Sequence, residues 1–348
     1  MKILISSDGR HAHYYQRTAL ARAFRAAGHE ASLWDCHNMS AFDAFDTFEP
    51  DIFLGQAYNL TNALVKCIYE RPHLKIGLRS GDWGDITQDT RFNVLYANEE
   101  QIKLLEKLKN ETGQPDFVHI HYDQAAMDIT HSKYKDIGID AKSLIMCADV
   151  EEYVDSEYKN SLACDIGFVG GYWPYKGLII DAYLTPLCDP VGNHNIKIFG
   201  NQPWTNVNQY CGVIGDSEVK NLFASAKICP NLSEPHAHEY GFDINERCFK
   251  ILCAGGFCIS DNITSIRNIF YGNGVVFADS PSDFEYKINH YLENEEERDG
   301  ISRTGRNFVL NNHTNFHRAA EVFRYFGFNQ EADKMIAGWS HAKEQFNV

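Results

Sequence analysis

The stretch Asp243-Ile244-Asn245-Glu246-Arg247-Cys248-Phe249-Lys250-Ile251-Leu252-Cys253-Ala254-Gly255-Gly256-Phe257-Cys258-Ile259-Ser260-Asp261 decides how the chain is read. Ile244, Cys248, Ile251 and Leu252 recur at i, i+4, i+7 and i+8, the apolar stripe of a helix. Asp243, Arg247 and Lys250 fall on another flank of that helix. Gly255-Gly256 lets the chain leave through positive φ, and Phe257-Cys258-Ile259 then re-enters a sheet. A helix handing over through a glycine turn to a buried strand is one unit of a doubly wound α/β fold. A cation near the start of such a helix stands where a phosphate group is held.

The same alternation extends outward in both directions. Residues 1–7 predict a strand, 8–15 a polar loop, 16–27 a helix and 30–34 a second strand. Further strands are predicted over 50–55, 74–80, 92–97 and 117–122, with a helix over 59–70. A second unit starts near residue 160, where 164–169 predicts a strand running into Gly170-Gly171. Residues 195–199 predict a strand running into Gly200. A helix over 216–226 and strands over 227–232 and 274–278 complete the set, with a helix over 281–292 and two more over 313–348. This pattern predicts mostly parallel sheets in two Rossmann-like domains.

Bulk properties agree. The chain has 348 residues, room for two domains, with 44% hydrophobic and 23% charged residues. No segment reads as a signal peptide or bilayer span, so a cytoplasmic protein without stable membrane insertion is expected. The ten cysteines include no C-x-x-C pair and read as small core residues. A net charge of −15 argues against tight, non-specific nucleic-acid binding.

Four segments carry candidate chemistry. Gly170-Gly171 at a strand end lets backbone N–H groups approach an anion, and Tyr172, Trp173, Tyr175 and Lys176 follow it. Arg247 with Lys250 suits a diphosphate; the plain alternative is an Asp243–Arg247 ion pair on a solvated helix face. Residues 233–242 read as a polar loop at a strand's carboxyl end, with His236 and His238 alternating on extended chain; a metal pair lacks a third ligand at suitable spacing. Leu78-Arg79-Ser80-Gly81-Asp82-Trp83 reads as a strand end with a tight loop, where Asp82 serves as a general base or as an Asx-turn residue. His11, His13 and Arg17 are placed in the loop after the first strand. His119 and His121 alternate along the strand at 117–122.

In this order the motifs resemble the nucleotide-sugar glycosyltransferases of GT-B fold, two Rossmann-like domains facing a central cleft. The resemblance is nearest to the spore-maturation (CgeB-like) glycosyltransferases and more distant to bacteriophage DNA beta-glucosyltransferase. It covers about 164–325, and the N-terminal half only in outline. It implies an acceptor-binding domain at 1–160, with helix 330–348 crossing back, and a donor-binding domain at 161–329. It implies transfer of a sugar from a nucleotide-diphosphate sugar, a UDP-sugar above all, to an acceptor hydroxyl, with no metal and no other cofactor. Donor contacts fall on Gly170, Gly171, Tyr172, Lys176, Asn201, His238, Asn245, Glu246, Arg247 and Lys250. Acceptor contacts fall on His11, His13 and Trp83, and the catalytic roles on Asp82 and His236. Asp82 is the base if transfer is inverting; His236 or His238 gains importance if it is retaining. Lys250 stands where the family has a ribose-binding glutamate, and a lysine cannot accept hydrogen bonds from ribose hydroxyls. Either Glu246 or Asp243 substitutes, or the donor is held differently. The acceptor is a glycan, a protein, a small molecule or a modified DNA base, and a homodimer is compatible with all of these. A nucleotide-sugar epimerase and a non-catalytic nucleotide- or glycan-binding module are the rival readings.

Overall fold

The computed structural model describes residues 1–7, 12–80 and 99–346. They form two compact units, Met1–Ile145 with Asn315–Val348, and Met146–Thr314. The sequence reading had set these divisions later, at 160 from the strand pattern and at 330 from the resemblance. The earlier first division follows from helix Val150–Tyr153, whose Tyr153 packs parallel to Phe223 at 6.4 Å. The second follows from helix Asn315–Tyr325, which packs on helix Ala12–Ala26 through Phe323 and Phe24 at 5.1 Å. Asn315 also donates to the Ala19 carbonyl at 3.0 Å.

Unit 1 holds six strands: β1 (Lys2–Ser7), β2 (Glu30–Asp35), β3 (Ile52–Gln56), β4 (Lys75–Arg79), β5 (Phe117–Ile120) and β6 (Asp140–Ser143). All neighbours pair in parallel, in the order β2-β1-β3-β4-β5-β6. Ile3, Phe53, Ile76 and Val118 are fully buried, as continuous apolar strands require when helices cover both faces of a sheet. The strand expected over 92–97 lies outside the described residues. Helix Ala12–Ala26 begins earlier than the pattern suggested. His13 and Arg17 are therefore helical, one turn apart on a shared face, and not loop residues.

Unit 2 holds β7 (Cys164–Val169), β8 (Ile196–Phe199), β9 (Ala226–Asn231), β10 (Cys258–Asp261) and β11 (Val275–Ala278). The order is β11-β10-β9-β7-β8, again parallel. The order reverses between β7 and β9, which makes their carboxyl ends the place for a ligand. Those two strands pair at Cys164 with Ala226 and at Ile166 with Ile228, and no further. Pro230, which has no N–H to donate, stands just beyond the last pair, and the ladder between the two strands stops before their carboxyl ends; the switch point there is the crevice of a doubly wound sheet. Ile166, Phe168, Ile198, Ile228 and Ile259 form the core beneath it. Among the described residues no helix is long and apolar enough to cross a membrane. All ten cysteines are free thiols, and all but Cys36 and Cys211 are buried.

Candidate functional site

Arg247 stands at the mouth of the crevice in unit 2. It opens helix Arg247–Cys253, and its backbone N–H donates to Asn245 Oδ1 at 3.2 Å. Its guanidinium reaches both strand ends at the switch point. Nε donates to the Val169 carbonyl after β7 at 3.3 Å. Nη1 donates to Asn231 Oδ1 and to the Leu232 carbonyl after β9, each at 3.2 Å. The plane covers the Phe168 ring at 4.9 Å. Nη2 makes no hydrogen bond among the described residues, and it lies 3.5 Å from where a Cβ on Gly170 would stand. With no side chain at Gly170, that donor lies against the glycine turn. The helix starts four residues later than the sequence stripe implied, so Asp243 is no i, i+4 partner of Arg247. Asp243 instead accepts from His236 Nε2 at 2.9 Å.

The two glycine turns are locked together. A Cβ on Gly200 would lie 2.3 Å from the Gly170 carbonyl oxygen, so only glycine permits this approach. Gly170 N–H donates to the Phe199 carbonyl at 2.8 Å, Trp204 Nε1 to the Gly170 carbonyl at 2.9 Å, and Tyr210 Oη to the Gly200 carbonyl at 2.8 Å. Asn201 lies beside Gly171, its Oδ1 3.1 Å from a Cβ built there. The Tyr172 hydroxyl donates to Asp181 Oδ2 at 2.7 Å and its ring covers Gly177.

Lys176, in helix Pro174–Tyr183, is 7% exposed. Its Nζ lies 5.0 Å over the Trp173 ring and has no hydrogen bond or ion pair among the described residues. Burial first, and the Arg247 charge second, push its pKa down to about 7, against attraction from Glu234, Asp261 and Asp243. The same burial raises the Glu234 carboxyl above its ordinary range. Two cations and these carboxylates thus act on one another across the switch point.

Residues 235–240 form a short helix, Pro235–Tyr240, where the sequence reading had extended loop. Pro235 suits the first helical position, and Gly241 ends the helix at φ 76°. The helix sends the two histidines to different partners. His236 is buried, parallel to Tyr175 at 6.1 Å, with Nδ1 3.1 Å from the Tyr175 hydroxyl and Nε2 on Asp243. Both ring nitrogens are thereby engaged. His238 Nε2 meets Asp261 Oδ2 at 2.8 Å. Asp261, fully buried at the end of β10, also accepts from Ser233 N–H at 2.7 Å and Ser233 Oγ at 3.0 Å. It therefore ties the loop after β9 to β10.

Lys250 does not face the crevice as an unpaired charge. Its Nζ donates to Glu246 and covers the Tyr153 ring at 5.6 Å. Burial opposes its charge, but Glu246 and Tyr153 outweigh burial and hold it above the ordinary lysine range.

In unit 1 the order reverses between β1 and β3. His13 lies 5.9 Å from His121, ring centre to ring centre. His119 is driven down to about 3 by burial, then by the charges of Arg79, Arg17 and His121. Arg79 Nη1 reaches the Tyr58 hydroxyl at 3.5 Å. Ser80 Oγ meets His131 Nε2 at 2.7 Å, both fully buried. Asp82, Trp83 and His11 lie outside the described residues. Among the described residues no group of three His, Cys, Asp or Glu is arranged to hold a metal ion. Sequence reasoning passed over Asn231, Glu234 and Asp261 as site residues. The available signal was their position at strand carboxyl ends.

Two parallel sheets with flanking helices make the GT-B fold. Residues 184–324 match a family model described as glycosyl transferase-like. Sucrose-phosphate synthase from Thermosynechococcus elongatus shares the fold at 10% identity, with 93% of this chain and 98% of that one covered and a TM-score of 0.64. T4 phage BGT in complex with UDP and Mn2+ shares it at 14% identity, 96% and 100% coverage and a TM-score of 0.59. HepE of Anabaena in complex with UDP-glucose does so at 12% identity, 97% and 99% coverage and a TM-score of 0.56. No protein of curated function matches the sequence.

Proposed function

We propose that the protein is a glycosyltransferase that binds a UDP-sugar in the crevice of unit 2 and passes the sugar to an acceptor hydroxyl held by unit 1. One observation carries this reading: Arg247 braces both strand ends at the switch point while its Nη2 faces the glycine turn. A diphosphate there would take Nη2, the Lys176 ammonium and the Gly171 N–H, the Gly170 N–H being held by the Phe199 carbonyl. Fixed cations of this kind stabilise a leaving diphosphate without reorganisation, which supports transfer that needs no resident metal. Glu246, oriented by Lys250, takes the ribose hydroxyls in place of the glutamate missing at position 250. His236 and His238 act by positioning Asp243, Tyr175 and Asp261. Asp82 is the base for the acceptor hydroxyl, and Asn201, Asn245, His13, His11 and Trp83 complete the donor and acceptor surroundings. The glycine turns followed by Arg247 support placing the chain near the CgeB-like enzymes.

Titration with UDP and UDP-glucose tests the donor half. Arg247→Ala should weaken UDP binding by ~1.5–3 kcal/mol, the scale of a charge-assisted hydrogen bond; unchanged affinity removes Arg247 from the site. Asp82→Asn should keep UDP affinity while transfer falls by orders of magnitude. A chelator should leave transfer intact, and a rate that collapses and returns with Mn2+ refutes the metal-free reading.

A further inference from the structure

Unit 2 contains a cleft of about 740 Å³ at the amino edge of its sheet, opposite the strand ends that hold Arg247. Cys164 and Ala226 at the starts of β7 and β9 form its floor, with Gly255-Gly256 at one side. Helix Glu295–Asn312 forms the facing wall. β7 is six residues long, so the two sites are separated by roughly 17 Å of strand.

The charges in the cleft do not cancel. Lys227 pairs with Asp165 at 2.7 Å, and Arg298 lies 3.9 Å from Glu295 while donating to the Tyr291 carbonyl at 2.7 Å. Arg306 donates to the Val154 carbonyl at 2.7 Å and has no carboxylate partner among the described residues. Its Nη1 lies 3.2 Å from where a Cβ on Gly255 would stand, so glycine leaves it room over the turn. Arg303 lines the same wall with no hydrogen bond or ion pair among the described residues. Asp299 is likewise without a pair, which leaves one cation in excess. Tyr158, 66% exposed, and Leu292 add apolar surface to the same cleft. An aromatic face beside unspent guanidinium donors suits a ligand with an oxyanion head and a flat or aliphatic body.

We propose that this cleft is a second binding site, taking a small organic anion separately from the donor crevice. Arg303 and Arg306 hold the oxyanion, and Tyr158 and Leu292 contact the body. Calorimetric titration with phenyl phosphate tests this, with inorganic phosphate and phenol as the head and body alone. Phenyl phosphate should bind more tightly than either fragment, with the same affinity in the presence of saturating UDP. Arg303→Glu, which removes no hydrogen bond or ion pair among the described residues and should leave the melting temperature nearly unchanged, should weaken it at least tenfold. Arg247→Ala should leave it unaltered. Displacement by UDP, undiminished binding to Arg303→Glu, or no binding at millimolar ligand each overturns the proposal. The Arg303→Glu comparison keeps its meaning if UDP does not bind at all, so the two readings fail separately.

Discussion

At the scale of single residues, Lys176 and Arg247 do different work although both are cations in one crevice. Arg247 keeps its charge whatever its surroundings, and three of its acceptors are protein groups that brace β7 against β9. Lys176 is buried without such partners and sits near pKa 7. An unfolded lysine titrates near 10.4. Between about pH 7 and 10 the unfolded chain therefore holds a proton that the folded chain lacks, and this residue's contribution makes stability rise with pH across that window. In the proposed donor complex the diphosphate would restore the charge. UDP binding should accordingly take up a proton above pH 7, seen as buffer-dependent heat, and UDP affinity should fall from pH 7 to 9. Lys176→Met should raise the melting temperature at pH 7 while weakening UDP, and a flat pH profile in the wild type would remove Lys176 from the diphosphate site. Lys250 was read from sequence as a donor contact. Its Nζ is paired with Glu246 four residues earlier, the spacing at which helix charges meet.

At the scale of elements, the site depends on two turns that touch. The Gly170 carbonyl leaves 2.3 Å for any Cβ on Gly200, a distance that neither backbone can relieve without β7 and β8 moving apart. Gly200→Ala should cost about 1–3 kcal/mol, as overpacking does, read as a lower denaturant midpoint, and should also weaken UDP because Gly170-Gly171 shifts. Stability equal to the wild type would mean that the turns are not held together as described. Both turns were legible, since strands ending in glycine at 170 and 200 are visible in the chain. The short helix Pro235–Tyr240 was not. Its Pro, Gly and histidines suit a loop equally well, and six residues are too few for a periodic signal. What makes it a helix is tertiary: His236 finds Tyr175, 61 residues away, and His238 finds Asp261, 23 residues away.

At the scale of the whole molecule, two units with separate cores let binding act on one of them. UDP at one hundred times its Kd should stabilise the unit that binds it by about 2.7 kcal/mol. Amide hydrogen exchange should then slow in β7–β11 and in helix Arg247–Cys253, while β1–β6 without acceptor stay unchanged. Protection confined to β1–β6 would put the donor in the other unit. The divisions at 145 and 314 were harder to read than the fold itself. Contacts between distant segments set them, as when helix Asn315–Tyr325 returns to Ala12–Ala26.

The alternation of strand and helix, the glycine turns and the cation at the head of helix Arg247–Cys253 are properties of the sequence. Periodicity, glycine stereochemistry and helix polarity act over a few residues and leave local marks. Which groups the cations meet is decided only in the folded chain. Sheet order brings Val169 beside Leu232 and presses Lys176 into the crevice without a partner. That order is the outcome of packing between segments far apart in sequence, and no local pattern encodes it. Arg247 is thus visible in the sequence as a candidate phosphate ligand, while the placing of its Nη2 against Gly170 is a product of the tertiary fold.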